Sequence, residues 1–191
     1  MEPVFTLSYS EFSAAQQLSR YFPVAKGYSL YVPLSRQEKG VDLILAERVR
    51  GRTRTAAIQV KSSRTYSRRG PRTRATRPFS YYTWFNRFDT PSNADFVLLV
   101  AVYPSDVARS SRKLATWWSP LVMVFSTEEM RSFLKSVRTV GGKPDRQFGF
   151  GFDLPSAVFQ TRGDQRREYQ DFSSHILEKR ARRIRHFLLD K

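Results

Sequence analysis

Residues 40 to 63, GVDLILAERVRGRTRTAAIQVKSS, contain two short runs that are typical of β-strands. Val41 to Glu47 and Thr55 to Lys61 are rich in aliphatic and β-branched residues. The basic segment between them is centred on Gly51, which suits a tight turn. We therefore predict a β-hairpin, and the rest of the fold is built outward from it.

The register of this hairpin follows from its apolar residues. Side chains alternate across a strand, so Leu43 and Asp42 lie on opposite faces of the first strand. If the aliphatic faces coincide, as a buried face requires, Leu43 pairs with Ile58 or Val60. A slip of one residue would put the two aliphatic sets on different sides of the sheet.

The polar residues of the hairpin are expected to converge in either register. Asp42 lies opposite Gln59 or Lys61, which places a carboxylate, an amide and a lysine on one face. Carboxylate oxygens suit a hard Mg²⁺ ion, and the backbone carbonyl of Val60 can supply another ligand. Lys61 can orient or deprotonate an attacking water, or neutralise charge on a phosphorane. The pattern favours metal-assisted phosphodiester cleavage.

These residues also carry a family resemblance. GVDLIL followed by IQVKSS resembles the signature of the PD-(D/E)xK nuclease superfamily, in the QxK variant of Mrr-type restriction endonucleases and relatives of archaeal Holliday-junction resolvases. The resemblance covers roughly residues 8 to 103. It implies a restriction-endonuclease-like α/β fold, a mixed β-sheet flanked by helices, and Mg²⁺ or Mn²⁺ as cofactor. Asp42 and Gln59 would then ligate the metal, and Lys61 would activate the nucleophile.

The first predicted helix, residues 8 to 21, holds the remaining candidate ligand. Ser8 and Glu11 have the spacing of a capping box, and Leu7 with Phe12 form its hydrophobic staple. Family members carry a glutamate on this helix that completes the metal site, and Glu11 is the matching position. Capping alone explains Glu11 equally well, so both roles stay open.

Charge points to a nucleic-acid partner. The 191 residues carry a formal net charge of +16, which favours a polyanion over an anionic membrane surface. No apolar run approaches the ~20 residues of a spanning helix, and the first residues do not have the pattern of a secretory signal. We expect an intracellular protein, cytoplasmic or nucleoid-associated. The chain has no cysteine, which excludes thiolate metal sites. Its two histidines are too few and too far apart in sequence for a histidine-based zinc site.

A dense run of basic residues follows the first strand of the hairpin. Between Arg48 and Arg77 there are eleven basic residues and no acidic one. Like charges this dense repel each other, so phosphate contact explains them better than a merely solvated surface. With two arginines of the last helix, the predicted nucleic-acid-binding residues are Arg48, Arg50, Arg52, Arg54, Arg64, Arg68, Arg69, Arg72, Arg74, Arg77, Arg182 and Arg183.

The middle of the chain is apolar. Residues 79 to 88, FSYYTWFNRF, hold six aromatics, which favour core packing but are also able to stack on unpaired bases. Asp95 to Tyr103 is a continuous apolar run, typical of a central strand covered on both faces. A helix, three strands, a helical segment before Asp95, and a strand is also the core order of the resembled family.

The C-terminal part completes the predicted domain organisation. Leu121 to Phe125 reads as a strand, and the helix after it begins with a capping box of Ser126 and Glu129. We expect a nuclease core at residues 1–140 and an extension at 141–191 that packs on it. The extension begins with a Gly/Pro loop and ends in a basic amphipathic helix at 173–189.

The sequence thus predicts a DNA-binding, divalent-metal-dependent endonuclease. Because one copy of the motif cuts one strand at a time, we expect a homodimer on duplex DNA. A second hypothesis is a non-catalytic nuclease-fold module, since the amide of Gln59 is a poorer ligand for a hard cation than a carboxylate. A third, less favoured, is an arginine-rich RNA-binding protein of unrelated fold.

Overall fold

The computed structural model describes residues 9–33, 40–67, 79–104, 118–153, 156–164 and 169–191. These residues form three α-helices and eight β-strands, together with 3-10 turns at Val24–Lys26 and Ser173–His175. In chain order the elements are α1 (Tyr9–Tyr21), β1 (Tyr28–Tyr31), β2 (Leu43–Val49), β3 (Arg52–Ser67), β4 (Tyr81–Asn86), β5 (Phe96–Pro104), β6 (Trp118–Ser126), α2 (Thr127–Ser136), β7 (Gln147–Phe152), β8 (Val158–Arg162) and α3 (Leu177–Asp190).

The predicted hairpin is confirmed, in the register that pairs Leu43 with Ile58. Strands β2 and β3 run antiparallel and are joined at Arg50 and Gly51. Both turn residues have positive φ, 48° and 79°. This combination is typical of a two-residue type I′ turn, whose twist matches that of the flanking strands.

Strand β3 organises the sheet because it belongs to two sets of strands. Its residues 52–58 pair antiparallel with β2 and its residues 58–64 pair parallel with β5, which gives the order β1-β2-β3-β5-β6. Its last residues, Thr65 to Ser67, pair antiparallel with β4, which continues into β7 and β8. We call the two sets the first sheet and the second sheet. Together they form the predicted mixed sheet with flanking helices.

Two hydrophobic cores lie on opposite faces of the first sheet. On one face, Leu43 and Ile58 pack with the buried residues of α1 and α3. On the other, Val97 and Leu99 pack with α2 and with the inward aromatics of the second sheet. Strand β5 is buried on both faces, as its continuous apolar run predicts.

Two local predictions are wrong. The segment expected to be helical contains β4, because its side chains alternate between buried and exposed positions and its aromatic residues favour a pleated strand. The expected Gly/Pro loop contains β7, which pairs with both β4 and β8. Gly149 and Gly151 are tolerated in β7 because aromatic rings lie directly over them.

The helix predictions agree better with the structure. The capping box of Ser126 and Glu129 is present at the start of α2, whereas Ser8 of the other predicted box lies outside the described residues. The C-terminal helix begins at Leu177, after the 3-10 turn. It shares a core with the first sheet, and β7 and β8 extend the second. No helix in the described ranges is long and apolar enough to cross a membrane.

Candidate active site and nucleic-acid interface

Asp42 is held against the backbone of the neighbouring strand. It lies one residue before β2, and its N–H donates to the carbonyl of Ile58 at 2.9 Å. Its Oδ2 accepts the N–H of Val60 at 2.7 Å. The carboxylate therefore lies beside β3 at the residue between Gln59 and Lys61, and it satisfies a backbone donor that the β2 ladder does not reach.

Gln59 is buried, with 6% of its surface exposed. It pairs with Val97 of β5, so its side chain points to the face of the first sheet that carries α2. Its Oε1 has no hydrogen-bond partner among the described residues. A buried acceptor without a donor costs roughly 1–3 kcal/mol, so this oxygen is suited to a water or a cation.

Lys61 points to the same face as Gln59, because it is two residues further along the strand and pairs with Leu99. It is half-buried, and its Nζ lies 5.5 Å from the centre of the Phe88 ring. Within the described ranges it forms no salt bridge with a carboxylate. The ammonium is therefore available to an anion that approaches β3 beside Asp42.

The structure brings some of the predicted site residues together and separates another. Asp42, Gln59, Val60 and Lys61 lie together where β2 begins beside β3. Glu11 is in the first turn of α1, whose buried residues pack on the opposite face of the sheet. In the part of the chain that is described, no three acidic or histidine side chains group closely enough to hold a metal ion.

The donor atoms on the hairpin nevertheless suit a hard cation. Asp42 contributes a carboxylate whose second oxygen, Oδ1, accepts no hydrogen bond from a described residue. Gln59 contributes the unpaired amide oxygen. The carbonyl of Val60 points to the same side of β3 as its N–H, which is the side of Asp42. Oxygen donors of this kind are preferred by Mg²⁺ and Mn²⁺ over softer metals.

The predicted arginines differ in what they contact. Arg48, Arg50 and Arg52 are exposed around the hairpin turn. Arg54 instead donates to the carbonyls of Leu188 and Leu189 at 3.3 and 2.9 Å, so it caps the end of α3. Five predicted residues lie outside the described residues, namely Arg68, Arg69, Arg72, Arg74 and Arg77.

The two predicted arginines of α3 also differ. Arg182 is exposed and lies 3.4 Å from the Nε2 atom of His186. Arg183 pairs with Glu129 of α2 at 2.6 Å, and Arg180 binds the same carboxylate at 2.9 Å. Burial raises the pKa of Glu129, but the backbone N–H of Ser126 and these guanidinium groups together outweigh it and hold the pKa below its usual range. This pair of contacts fastens α3 to α2.

Arg64 lies on an outward face of β3 and β4 that was not predicted from the sequence. Alternation divides the aromatics of β4: Tyr81 and Phe85 face the core, whereas Tyr82 and Trp84 face outward. Tyr66 of β3 pairs with Tyr82, so its ring lies on the same outward face as Arg64. The period-two spacing of the aromatic run is the signal that separates these two groups.

Comparison with family models, with curated proteins and with solved structures finds no match to this chain.

Proposed function

We propose that the chain binds DNA and hydrolyses its phosphodiester bonds with Mg²⁺ or Mn²⁺. The observation that carries the proposal is the carboxylate of Asp42, bound to the backbone of Val60 between Gln59 and Lys61. This arrangement is what the Asp and QxK motifs of the resembled nucleases require. The net charge of +16 supports a polyanionic substrate.

Each residue of the hairpin has a role in this proposal. Asp42, Gln59 and the Val60 carbonyl hold the metal, and Glu11 stays a proposed further ligand. A bound Mg²⁺ or Mn²⁺ supplies charge stabilisation and a more acidic water. Lys61, whose ammonium lies beside the Phe88 ring, donates to a non-bridging phosphate oxygen or orients the attacking water.

The exposed arginines at the hairpin turn contact phosphates and position the duplex without reading its sequence. One site serves one strand, so cleavage of both strands calls for a homodimer. Sedimentation of the protein on duplex DNA tests this step, and a monomer that cuts both strands at once would exclude it. A nucleoid-associated location accords with such a substrate.

The deciding experiment is cleavage of supercoiled plasmid and of short linear and branched DNAs, with Mg²⁺ or Mn²⁺. We expect Asp42→Asn and Lys61→Ala each to lower the rate by about 100-fold or more, since each removes a group that acts on the reacting atoms. Lys135→Ala, at an exposed position of α2, is the matched control and should cleave normally. Retention of cleavage in either hairpin variant would exclude this active site.

A second candidate is a nuclease-fold module that holds nucleic acid without cutting it. It is favoured by the amide of Gln59 and by the lack of a three-acid cluster in the described residues. Gln59→Glu separates the two functions, because it replaces the amide with a carboxylate. In an active enzyme it should lower the metal concentration needed for cleavage. Wild type and variant that both bind DNA, and never cut it with either metal, would establish the second candidate.

A further inference from the structure

The outward face of the second sheet carries a strip of aromatic rings, formed by Tyr66, Trp84 and Tyr82. The ring centres of Tyr66 and Trp84 are 4.9 Å apart with planes at 44°, and those of Trp84 and Tyr82 are 6.1 Å apart with planes at 19°. Tyr66 is 47% exposed and Trp84 is 36% exposed. Aromatic surface of this size is more often buried, so its exposure calls for an explanation.

The position of Trp84 is fixed by the strand beneath it. A Cβ atom at Gly149 would lie 2.3 Å from Cδ1 of the indole, so only glycine allows the ring to rest on β7 at this point. A Cβ at Gly151 would meet the ring of Phe79 at the same distance. The two glycines therefore leave room for the rings of Trp84 and Phe79 to lie close over β7.

Positive charge lies next to the strip. An open depression of about 580 Å³ is lined by Arg64 and Arg162 together with Tyr66, Trp84, Asn86 and Gln147. No acidic residue is among the described residues that line it. The side chain of Arg162 remains 44% exposed although it pairs with Asp145. Flat rings flanked by guanidinium groups match a base attached to a phosphate.

We propose that the aromatic strip binds the unpaired bases of single-stranded DNA, with Arg64 and Arg162 on the phosphates. The DNA class rests on the proposed function. A duplex hides the faces of its bases in its own stack, so Tyr66 and Trp84 select a strand that is already separated. The surface lies on the second sheet, outward from the core that Gln59 and Lys61 face. Its contacts therefore add to those of the hairpin.

The test is the binding of a fluorescein-labelled, mixed-sequence single strand, followed by anisotropy in EDTA so that no metal contributes. We expect Tyr66→Ala and Trp84→Ala each to weaken binding by about 5- to 100-fold, the usual effect of removing one stacking residue. Trp84→Phe keeps a ring and should retain most of the affinity. Tyr31→Ala removes a tyrosine that is 50% exposed on β1 and is the matched control.

The outcomes separate this proposal from the nuclease proposal. Loss of single-strand affinity in Tyr66→Ala and Trp84→Ala supports the strip, even if no metal produces cleavage. Unchanged affinity in both variants overturns it, even if cleavage depends on Asp42 and Lys61. Tighter binding of an RNA of the same sequence, lost in the same two variants, overturns DNA as the ligand.

Discussion

Asp42 has a structural role that is measurable apart from catalysis. Its Oδ2 accepts the N–H of Val60, which is a buried residue. Asp42→Ala leaves this donor without a partner and should lower the free energy of unfolding by about 1–3 kcal/mol. Asp42→Asn keeps an acceptor oxygen, so we expect it to cost less than about 1 kcal/mol by the same reasoning. Urea unfolding measures both values.

Asp89 provides the control for this comparison, because it is exposed and lies outside the helices and strands. Asp89→Ala should leave stability unchanged within about 0.5 kcal/mol. Equal stability of Asp42→Ala and Asp42→Asn would show that the bond to Val60 contributes nothing. If instead Asp42→Asn is stable and does not cut DNA, the negative charge itself is needed for the chemistry.

At the scale of elements, local signals decided which predictions succeeded. The hairpin, β5 and α2 were predicted because each carries its own signal: a glycine turn, a continuous apolar run and a capping box. The nature of β4 and β7 was missed. Short aromatic runs fit a buried helix as well as a strand, and glycines read as a loop until the rings above them are known.

The polar end of β3 shows a second limit of local signals. The predicted strand ended at Lys61, yet β3 continues to Ser67 because β5 and then β4 pair with it. These partners are distant in sequence, and no local pattern announces them. The exposed aromatic strip depends on the same pairing of β3 with β4. Its residues could be read from the sequence, but their common exposed face could not be predicted.

His175 is a partly buried titratable residue, so it makes the stability of the fold depend on pH. It lies before α3, with its ring 4.5 Å from that of Phe125 in β6 and 5.1 Å from that of Phe172. Burial, with the nearby Arg180, lowers the pKa of His175 to about 4. Glu129 opposes this shift, and Arg183 adds to it. The folded protein therefore holds a neutral imidazole at neutral pH.

The sign of the resulting pH dependence follows from linkage. The unfolded chain binds a proton at His175 below its ordinary pKa of 6.5, whereas the folded chain does not until about 4. Stability should therefore be greatest above pH 6.5 and fall as the pH drops toward 4, by roughly 2 kcal/mol once partial exposure is allowed for. Urea unfolding between pH 7.5 and about pH 5, chosen to stay above the ordinary carboxyl pKa values, measures the slope.

His175→Gln should flatten this slope because it removes the titrating group. His186→Gln is the control, since His186 is exposed on α3. The slope should survive in that variant. A slope of equal size in wild type and His175→Gln would assign the pH dependence to other groups.

At the scale of the molecule, β3 makes one body of the two sheets. The second sheet attaches through β4 to the end of β3, and α3 returns from the C-terminal part to the face that α1 also covers. Lys191, at the end of α3, binds the carboxylate of Asp95 and the carbonyl of Thr55. The positive charge was predictable from the sequence, but the contacts of single arginines were not: Arg54 donates to carbonyls of α3, and Arg183 pairs with Glu129.

The exposed arginines of the hairpin should govern the salt dependence of DNA binding. Affinity falls as salt rises, and each phosphate contact on duplex DNA makes the slope of log K against log salt steeper by about 0.9. The triple variant Arg48→Ser, Arg50→Asn and Arg52→Ser, with asparagine chosen because residue 50 has a positive φ of 48°, should bind more weakly and with a shallower slope. We expect a reduction of about 0.9 for each arginine that contacts a phosphate, measured on one duplex between about 50 and 200 mM salt.

Arg131→Ser, at an exposed position of α2, removes a charge elsewhere and should leave the slope unchanged. If the triple variant keeps the wild-type slope, the arginines around the hairpin turn do not contact the duplex.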